Sequence, residues 1–476
     1  MATDDLDGVI SDAHNNLTYY ASDIKRREAY YDGTRRLTSL GMSIPPELEH
    51  LHTVVNWPRL AVDSVDERLV LQGMRVGSGS VLDDRATEWM ASNHLPVLAS
   101  SGHVESLIQG ISYISVDWDG NPNHNPTILP EPAVNFWVTW DAKYQNILSA
   151  VRFWNDPTLQ PLEALRPFDQ KPTMCTVYQP NVNTYFTLES GRWVQIDEVQ
   201  HNTGEVSVIP MVNRQRLNRV RGDSEMTDII PITNAATRAL TDLQAAQELF
   251  AMPKYWLLGA DPETFKDKDG NPIPAWEMYL NSVNLISDSD VKLQQTQAGQ
   301  LSNYSNVMST YSKLASSVSG IPAYYFGDSG DANPTSEGSI RASENRLVLK
   351  AERRQGAFGQ AWADAFRIAS IMVDGKPTKY SPVWQDASTP TFAAKGIAVA
   401  RMFQFGLLSR RAALEELDYP PDQIKAILAD FAQSSAVDTV LQQLGVTGSA
   451  PNPPASGGAG TQAIQVPPPP LRPGID

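Results

Sequence analysis

Several short segments carry residue types that can do chemistry, and each can be tested against the spacing that chemistry requires. Gly327-Asp328-Ser329-Gly330 places a serine between glycines, as a nucleophile turn does. A serine attacks only when a histidine takes its proton and a carboxylate orients that histidine. The seven histidines (14, 50, 52, 94, 103, 124 and 201) offer no such context, and Asp331 stands where a second glycine is expected. Asp117-Trp118-Asp119-Gly120-Asn121 starts like a calcium loop. Pro122 and Ile128 then occupy the sixth and twelfth positions, where glycine and a bidentate glutamate are needed. Asp267-Lys268-Asp269-Gly270-Asn271 fails in the same way at Pro272 and Met278.

Other fragments also lack context. His50 and His52 have no further His or Cys nearby to complete a metal site. Cys175 is the only cysteine, which excludes an intrachain disulfide and a thiolate cluster; it lies in an alternating stretch and reads as a packed strand residue. Arg221-Gly222-Asp223 is a tripeptide read by integrins, in a chain with no mark of secretion. No Gly-x-x-x-x-Gly-Lys-Ser/Thr segment exists, and Gly77-Ser78-Gly79-Ser80 reads as a flexible connection. The expectation is a structural protein with no catalytic residues, no metal and no cofactor.

One charged segment stands out. Arg341, Arg346, Lys350, Arg353 and Arg354 share a window with only Glu344 and Glu352, so five cations against two carboxylates leave +3 in an acidic chain. In a monomer this is a solvated helix face with ordinary pairs, such as Glu337 with Arg341. In a ring the stripe repeats around an axis and faces the next subunit or the channel.

The elements that must position these residues follow from hydrophobic spacing. Helical stretches are expected over 11–31, ending at Gly33, then after Asn56-Trp57-Pro58 through Leu60, Val62, Val65, Leu69 and Leu71. Helical spacing continues over 83–116, with Val104, Leu107, Ile108 and Ile111 in phase. Short alternating runs between Pro, Gly and Asn over 113–212 read as antiparallel strands, for example Phe136–Trp140, Ile147–Trp154, Tyr185–Leu188 and Arg192–Ile196. Residues 225–252 return to helix, with Pro231 opening or kinking it. A turn-rich segment over 253–300 has a loop or hairpin tip at Asp269-Gly270-Asn271-Pro272. A helix at 302–319 and a loop from Ile321 to Asn333 follow. Next comes a long helix over 334–373, with Pro334 in its first turn and a reach of about 60 Å. Residues 393–444 form a smaller helical unit. From Gly448 the chain holds eight prolines, five glycines and two charged residues, the composition of a disordered tail.

At 476 residues, several structural units are expected, and 41% hydrophobic with 19% charged residues is the composition of a globular chain. The segment Met1 to Gly8 is acidic and carries no signal-like apolar stretch, and no apolar run approaches the ~18 residues that span a bilayer. The expected place of manufacture is the cytoplasm of the producing cell. A net charge of −16 argues against gripping nucleic acid by bulk charge; it does not exclude a wall past which DNA slides, and charge alone does not choose between that and a protein with no DNA partner.

In this order the chain resembles the portal proteins of tailed bacteriophages, in particular those of phages of actinobacteria. The resemblance rests on Tyr30-Tyr31-Asp32-Gly33, Gly41, Pro45-Pro46-Glu47-Leu48 and Asn56 to Asp63. It continues at Val208-Ile209-Pro210-Met211-Val212-Asn213-Arg214 and Gly222-Asp223-Ser224-Glu225-Met226. The fullest stretch is Gly320-Ile321-Pro322, Tyr325 to Gly330, Asn333-Pro334-Thr335-Ser336 and Arg341-Ala342 to Lys350-Ala351-Glu352. It covers roughly 15–440 and leaves the tail outside.

The resemblance implies an α+β portal fold with a mainly helical wing, an antiparallel β region, paired stem helices, a small clip, a long spine helix and a helical crown. The implied segments are wing 1–226, stem helices 227–252 and 302–322, clip 253–301 and tunnel loop 323–336. The spine and its return to the wing take 334–392, the crown 393–446 and the disordered tail 447–476. It further implies a homo-oligomeric ring of about twelve subunits at one capsid vertex, assembled in the host cytoplasm. That ring conducts double-stranded DNA without sequence specificity, with no membrane. Implied partners are the major capsid protein and scaffold, the terminase large subunit and the head-tail adaptor. The tunnel-loop residues Gly327, Asp328, Ser329, Gly330, Asp331, Asn333, Thr335 and Ser336 become DNA-channel candidates, polar without fixed positive charge. Two other readings are another minor head or connector protein, and a hydrolase using Ser329 or a carboxylate pair.

Overall fold

The computed structural model describes residues 3–35, 53–79, 81–141, 143, 146–155, 172–217, 219–250, 255–258, 292–295, 302–327, 336–388, 392–417, 419 and 423–432. The chain divides into two compact units, Met1–Thr391 and Phe392–Asp476. The expected tail at 447–476 lies outside the described residues, as does the turn at 269–272.

Helix α1 (Thr3–Tyr31) begins well before the expected start at 11. Leu6, Ile10, Ala13, Leu17 and Ile24 form one buried stripe along it, and acidic residues at a helix N-terminus complement the dipole there. Helix α2 (Trp57–Asp66) opens on Pro58. The helical spacing expected to reach Leu71 stops short, because Leu71 instead opens strand β1 (Leu71–Val76). The expected helical run over 83–116 is also divided. It forms α3 (Asp84–Ser92), capped by the Asp83 side chain, then α4 (Leu95–Gln109) and β2 (Ile111–Asp117). His94 and Gly110, both with positive φ, bound α4, so Ile111 belongs to a strand despite its helical spacing.

The β region holds β3 (Thr127–Glu131), β4 (Phe136–Trp140), β5 (Ile147–Trp154), β6 (Met174–Gln179), β7 (Val182–Glu189), β8 (Arg192–Gln200) and β9 (Val208–Val212). They form an antiparallel three-stranded sheet, β3-β2-β9, and an antiparallel five-stranded sheet, β4-β5-β6-β7-β8. Leu6, Ile10, Ala13 and Leu17 of that stripe pack on the larger sheet against Val151, Phe153, Cys175, Val177 and Phe186. Burial pushes the Cys175 thiol well up, so it stays protonated and packs as a small apolar group.

Helix α5 (Ile230–Phe250) has Pro231 at its start, and α6 (Ser302–Ser319) packs against it. Between them, β10 (Tyr255–Leu258) and β11 (Lys292–Gln295) form an antiparallel pair. Helix α7 (Glu337–Asp374) runs 38 residues, about 57 Å. Its N-cap is Ser336, so Pro334 is not in its first turn as expected; the start is set by the Ser336–Ser339 capping box. Leu347, Ala351, Phe358, Trp362, Ala365, Phe366 and Ala369 are fully buried along it. Strand β12 (Tyr380–Trp384), unforeseen from the spacing, returns to pair with β1. The second unit contains α8 (Phe392–Gln404), α9 (Arg410–Glu416) and a helical run over 423–432.

The Arg221-Gly222-Asp223 segment has a packing role. A Cβ on Gly222 would lie 1.6 Å from the Asn213 carbonyl oxygen, and one on Gly110 would lie 2.3 Å from the Gly222 carbonyl oxygen. Backbones touch here, and only hydrogen fits. Gly222→Ala is expected to lower stability by about 2 kcal/mol or more through forced backbone displacement. Urea unfolding checks this; an unchanged midpoint would remove the packing role.

Candidate functional site

The candidate loop is defined by its feet. At its first foot the chain forms a 3-10 turn, Ala323–Phe326, and Gly327 closes it with φ 83°, its N–H donating to the Tyr324 carbonyl at 3.2 Å. Phe326 is buried edge-on against Trp57, with ring centroids 5.6 Å apart, and its carbonyl accepts from Ser312 Oγ at 3.2 Å. At the second foot the Ser336 backbone N–H donates to Ser339 Oγ at 3.1 Å, and Ser336 Oγ accepts from the Ser339 N–H at 3.3 Å. Asp328, Ser329, Gly330, Asp331, Asn333 and Thr335 lie outside the described residues.

A polar node that sequence reasoning missed holds the first foot to α7. Tyr324 and Tyr325 donate their hydroxyls to Glu344 Oε1 at 2.9 and 3.3 Å. Arg68, at the end of α2, pairs with Glu344 Oε2 at 3.3 Å and donates to the Tyr325 hydroxyl at 3.4 Å. Its side chain is 5% exposed, so this charge is neutralised away from water. Burial and the bond to Glu344 push the Tyr324 phenol up to about 12. Gln355 Nε2 then donates to the carbonyls of Arg68 and Gln385, at 2.9 and 3.0 Å. Arg68 and Tyr325 are 257 residues apart, and no local spacing joins them.

The five basic residues of α7 do not share one environment. Arg341 and Arg353 are exposed. Arg346 donates to the Ser317 carbonyl at 3.1 Å and its guanidinium covers Gly320, tying α7 to the end of α6. Lys350 and Arg354 converge on Glu225, with Lys350 Nζ donating to Oε2 and Arg354 Nε to Oε1, each at 3.0 Å. Burial alone would raise the Glu225 carboxyl, but the two cations outweigh it and hold it at about 2.

His103 is fully buried in the core. Trp362 Nε1 donates to His103 Nε2 at 2.9 Å and Phe358 stacks on the ring at 5.5 Å. Burial lowers its pKa to about 3, which keeps it neutral in the core. Among the described residues no three His, Cys, Asp or Glu side chains converge as a metal site, and no helix is long and apolar enough to cross a membrane. This arrangement ties the turn at Ala323–Phe326 to the long helix, whose N-cap is Ser336.

Three kinds of relative match the chain. A family model described as "Phage portal protein, SPP1 Gp6-like" matches residues 10–433. The portal protein of Mycobacterium phage D29 is 30% identical over 436 residues, covering 88% of this chain and 86% of that protein. The portal protein of Mycobacterium phage L5 is 30% identical over 416 residues, covering 84% and 83%. A chain from the virion of a native gene transfer agent particle aligns with a TM-score of 0.42 at 14% identity, covering 84% of this chain and 99% of that one.

The Glu225 cluster yields a pH prediction. Its folded pKa of about 2 lies below the ordinary 4.5. Its stabilisation is therefore present above about 4.5 and is lost as pH falls toward 2, an effect of about 3 kcal/mol. Glu225→Gln should lower stability at neutral pH by about 2–4 kcal/mol, since two cations lose their partner, and should flatten the acid limb between pH 4.5 and 2. Urea midpoints against pH measure both; a parallel acid limb in the variant would contradict the assignment.

Proposed function

Because the chain belongs to the SPP1 Gp6-like family of phage portal proteins, we propose that it forms a ring of about twelve copies at one capsid vertex and serves as a passive channel for double-stranded DNA. The family match across residues 10–433 carries this reading. In this reading the protein is a virion component that neither hydrolyses nor transfers anything. The ring assembles in the host cytoplasm, where it joins the major capsid protein and scaffold. It docks the terminase large subunit during packaging and the head-tail adaptor afterwards.

The segments follow the same proposal. Residues 1–226 are the wing, 227–252 and 302–322 the stem, 253–301 the clip, 323–336 the tunnel loop, 334–392 the spine and its return, and 393–446 the crown. The packing of α5 on α6, with the β10–β11 pair between them in sequence, supports a stem and clip. Support for the tunnel loop is its pair of anchored feet, Phe326 on Trp57 and Ser336 on Ser339. Its proposed DNA-facing residues are Gly327, Asp328, Ser329, Gly330, Asp331, Asn333, Thr335 and Ser336. No cation stands among them, so contact with DNA is steric and through water, without a fixed phosphate bond. With each copy at −16, the channel as a whole repels the duplex and friction stays low. The basic stripe of Arg341, Arg346, Lys350, Arg353 and Arg354, of which Arg341, Arg346 and Arg353 are exposed, is proposed to meet a neighbouring subunit or the channel.

Deleting 328–333 should leave ring assembly intact while impairing packaging or DNA retention. A phage lacking its portal gene, complemented with the deletion, reads this out as titre and DNA content per particle. Unchanged values in both would remove the loop from the mechanism.

A further inference from the structure

The five-stranded sheet has two outer edges. Among the described residues, β4 and β8 each pair on one side only. An unpaired strand edge presents a row of backbone donors and acceptors that a second chain can extend. The two edges differ in character. Strand β8 is exposed almost throughout, with Val194 and Ile196 at 41% and 53% exposure beside the exposed acids Asp197 and Glu198. Tyr185 pairs with Asp197 while Phe186 pairs with Gln195, so Ile196 is an extra residue in a bulge. A bulge breaks the regularity of an edge and disfavours indiscriminate pairing.

The β4 edge borders a cleft of about 720 Å³ between α1 and the segment 219–223. Four consecutive residues, Trp137 to Trp140, line it. Consecutive strand residues point to opposite faces, so the cleft runs along the strand's edge and not over one face. Three arginines line it, Arg27, Arg221 and Arg219, the last paired with Asp223. Arg27 Nη1 donates to the Gln109 carbonyl at 2.7 Å. The Arg221 guanidinium lies 4.9 Å over the Tyr20 ring, and its buried Nη1 has no hydrogen-bond partner among the described residues. Burial and the neighbouring Arg221 charge both lower the Arg27 pKa, the mark of two cations not fully compensated. The cleft's own carboxylates are largely engaged: Asp223 pairs with Arg216 and Arg219, and Asp23 with Arg26.

We propose that this cleft receives the β8 edge of a neighbouring copy of the chain, extending the five-stranded sheet across the subunit boundary. Val194 and Ile196 of the incoming strand meet Trp137 and Trp140, and its Asp197 and Glu198 meet Arg27 and Arg221. A pairing of β8 with β4 is head-to-tail, so it propagates around a ring and does not stop at a dimer. The proposal rests on the ring reading and adds one contact to it.

The test uses Thr139→Cys on β4 with Gln195→Cys on β8, in a chain whose native Cys175 is buried. Assembled protein treated with a flexible bismaleimide should give a ladder of covalent multimers on a denaturing gel, while each single variant stays at the monomer band. Adding Arg221→Glu should weaken the ladder at least tenfold, and adding Glu198→Arg to that should restore it. In wild-type protein, amide exchange should slow at both 136–140 and 192–200 on assembly, which needs no cysteine variant. Rings in the electron microscope without a ladder, or without slowed exchange at both edges, overturn this interface and leave the ring reading standing. A ladder indifferent to Arg221→Glu overturns the charge pairing. A wild-type chain that forms no ring overturns the reading beneath it.

Discussion

A helix of 38 residues has far more apolar surface than it can hide by itself, and drying one stripe of α7 organises the first unit. Phe358, Trp362 and Phe366 supply the bulk, while alanines at 351, 361, 365 and 369 let neighbouring elements approach closely. Helix α4 meets that stripe through His103, and strand β12 returns along it to pair with β1. Where the stripe must take up charge, it does so in pairs. Arg68 meets Glu344 near one end, and Lys350 with Arg354 meets Glu225 further along. A buried ion pair adds little net stability over apolar packing, but losing one partner is expensive, so such pairs fix position more than they add strength. The turn at Ala323–Phe326 is tied to this helix through Glu344.

Much of this architecture was legible in the residues. The β region, α5, α6 and the long helix follow from periods of two and of 3.6, and the portal likeness follows from the order of its motifs. Boundaries were less legible where spacing ran on across a break. Leu107, Ile108 and Ile111 keep helical phase, yet Gly110 ends the helix between them because its backbone lies against Gly222, a contact more than a hundred residues away. Leu71 reads as helical until β12 is present to pair with it, and β12 itself is too short and too half-buried to announce a strand. Pro334 suited a first turn, but Ser336 and Ser339 satisfied the free backbone groups two residues later.

The candidate site shows the same division. Its residue types were readable: a glycine-bearing polar loop and a run of cations. The destinations of those cations were not, because Glu225 and Ser317 are distant in sequence from their partners on α7. A cluster of positive charge in one dimension becomes, in three, a set of separate ties, Arg346 to the Ser317 carbonyl and Lys350 with Arg354 to Glu225. On the proposed channel reading this matters physically, since cations bound to internal carboxylates offer no strong hold to passing phosphates.

The account depends most on the chain forming a ring around an axial hole. Electron microscopy of the purified full-length protein, with particle mass measured in parallel against the 52.4 kDa chain, tests this most directly. Rings of about twelve subunits with a central opening are the expected result. A stable monomer or dimer without an axial hole, under conditions where the protein is folded, would contradict it.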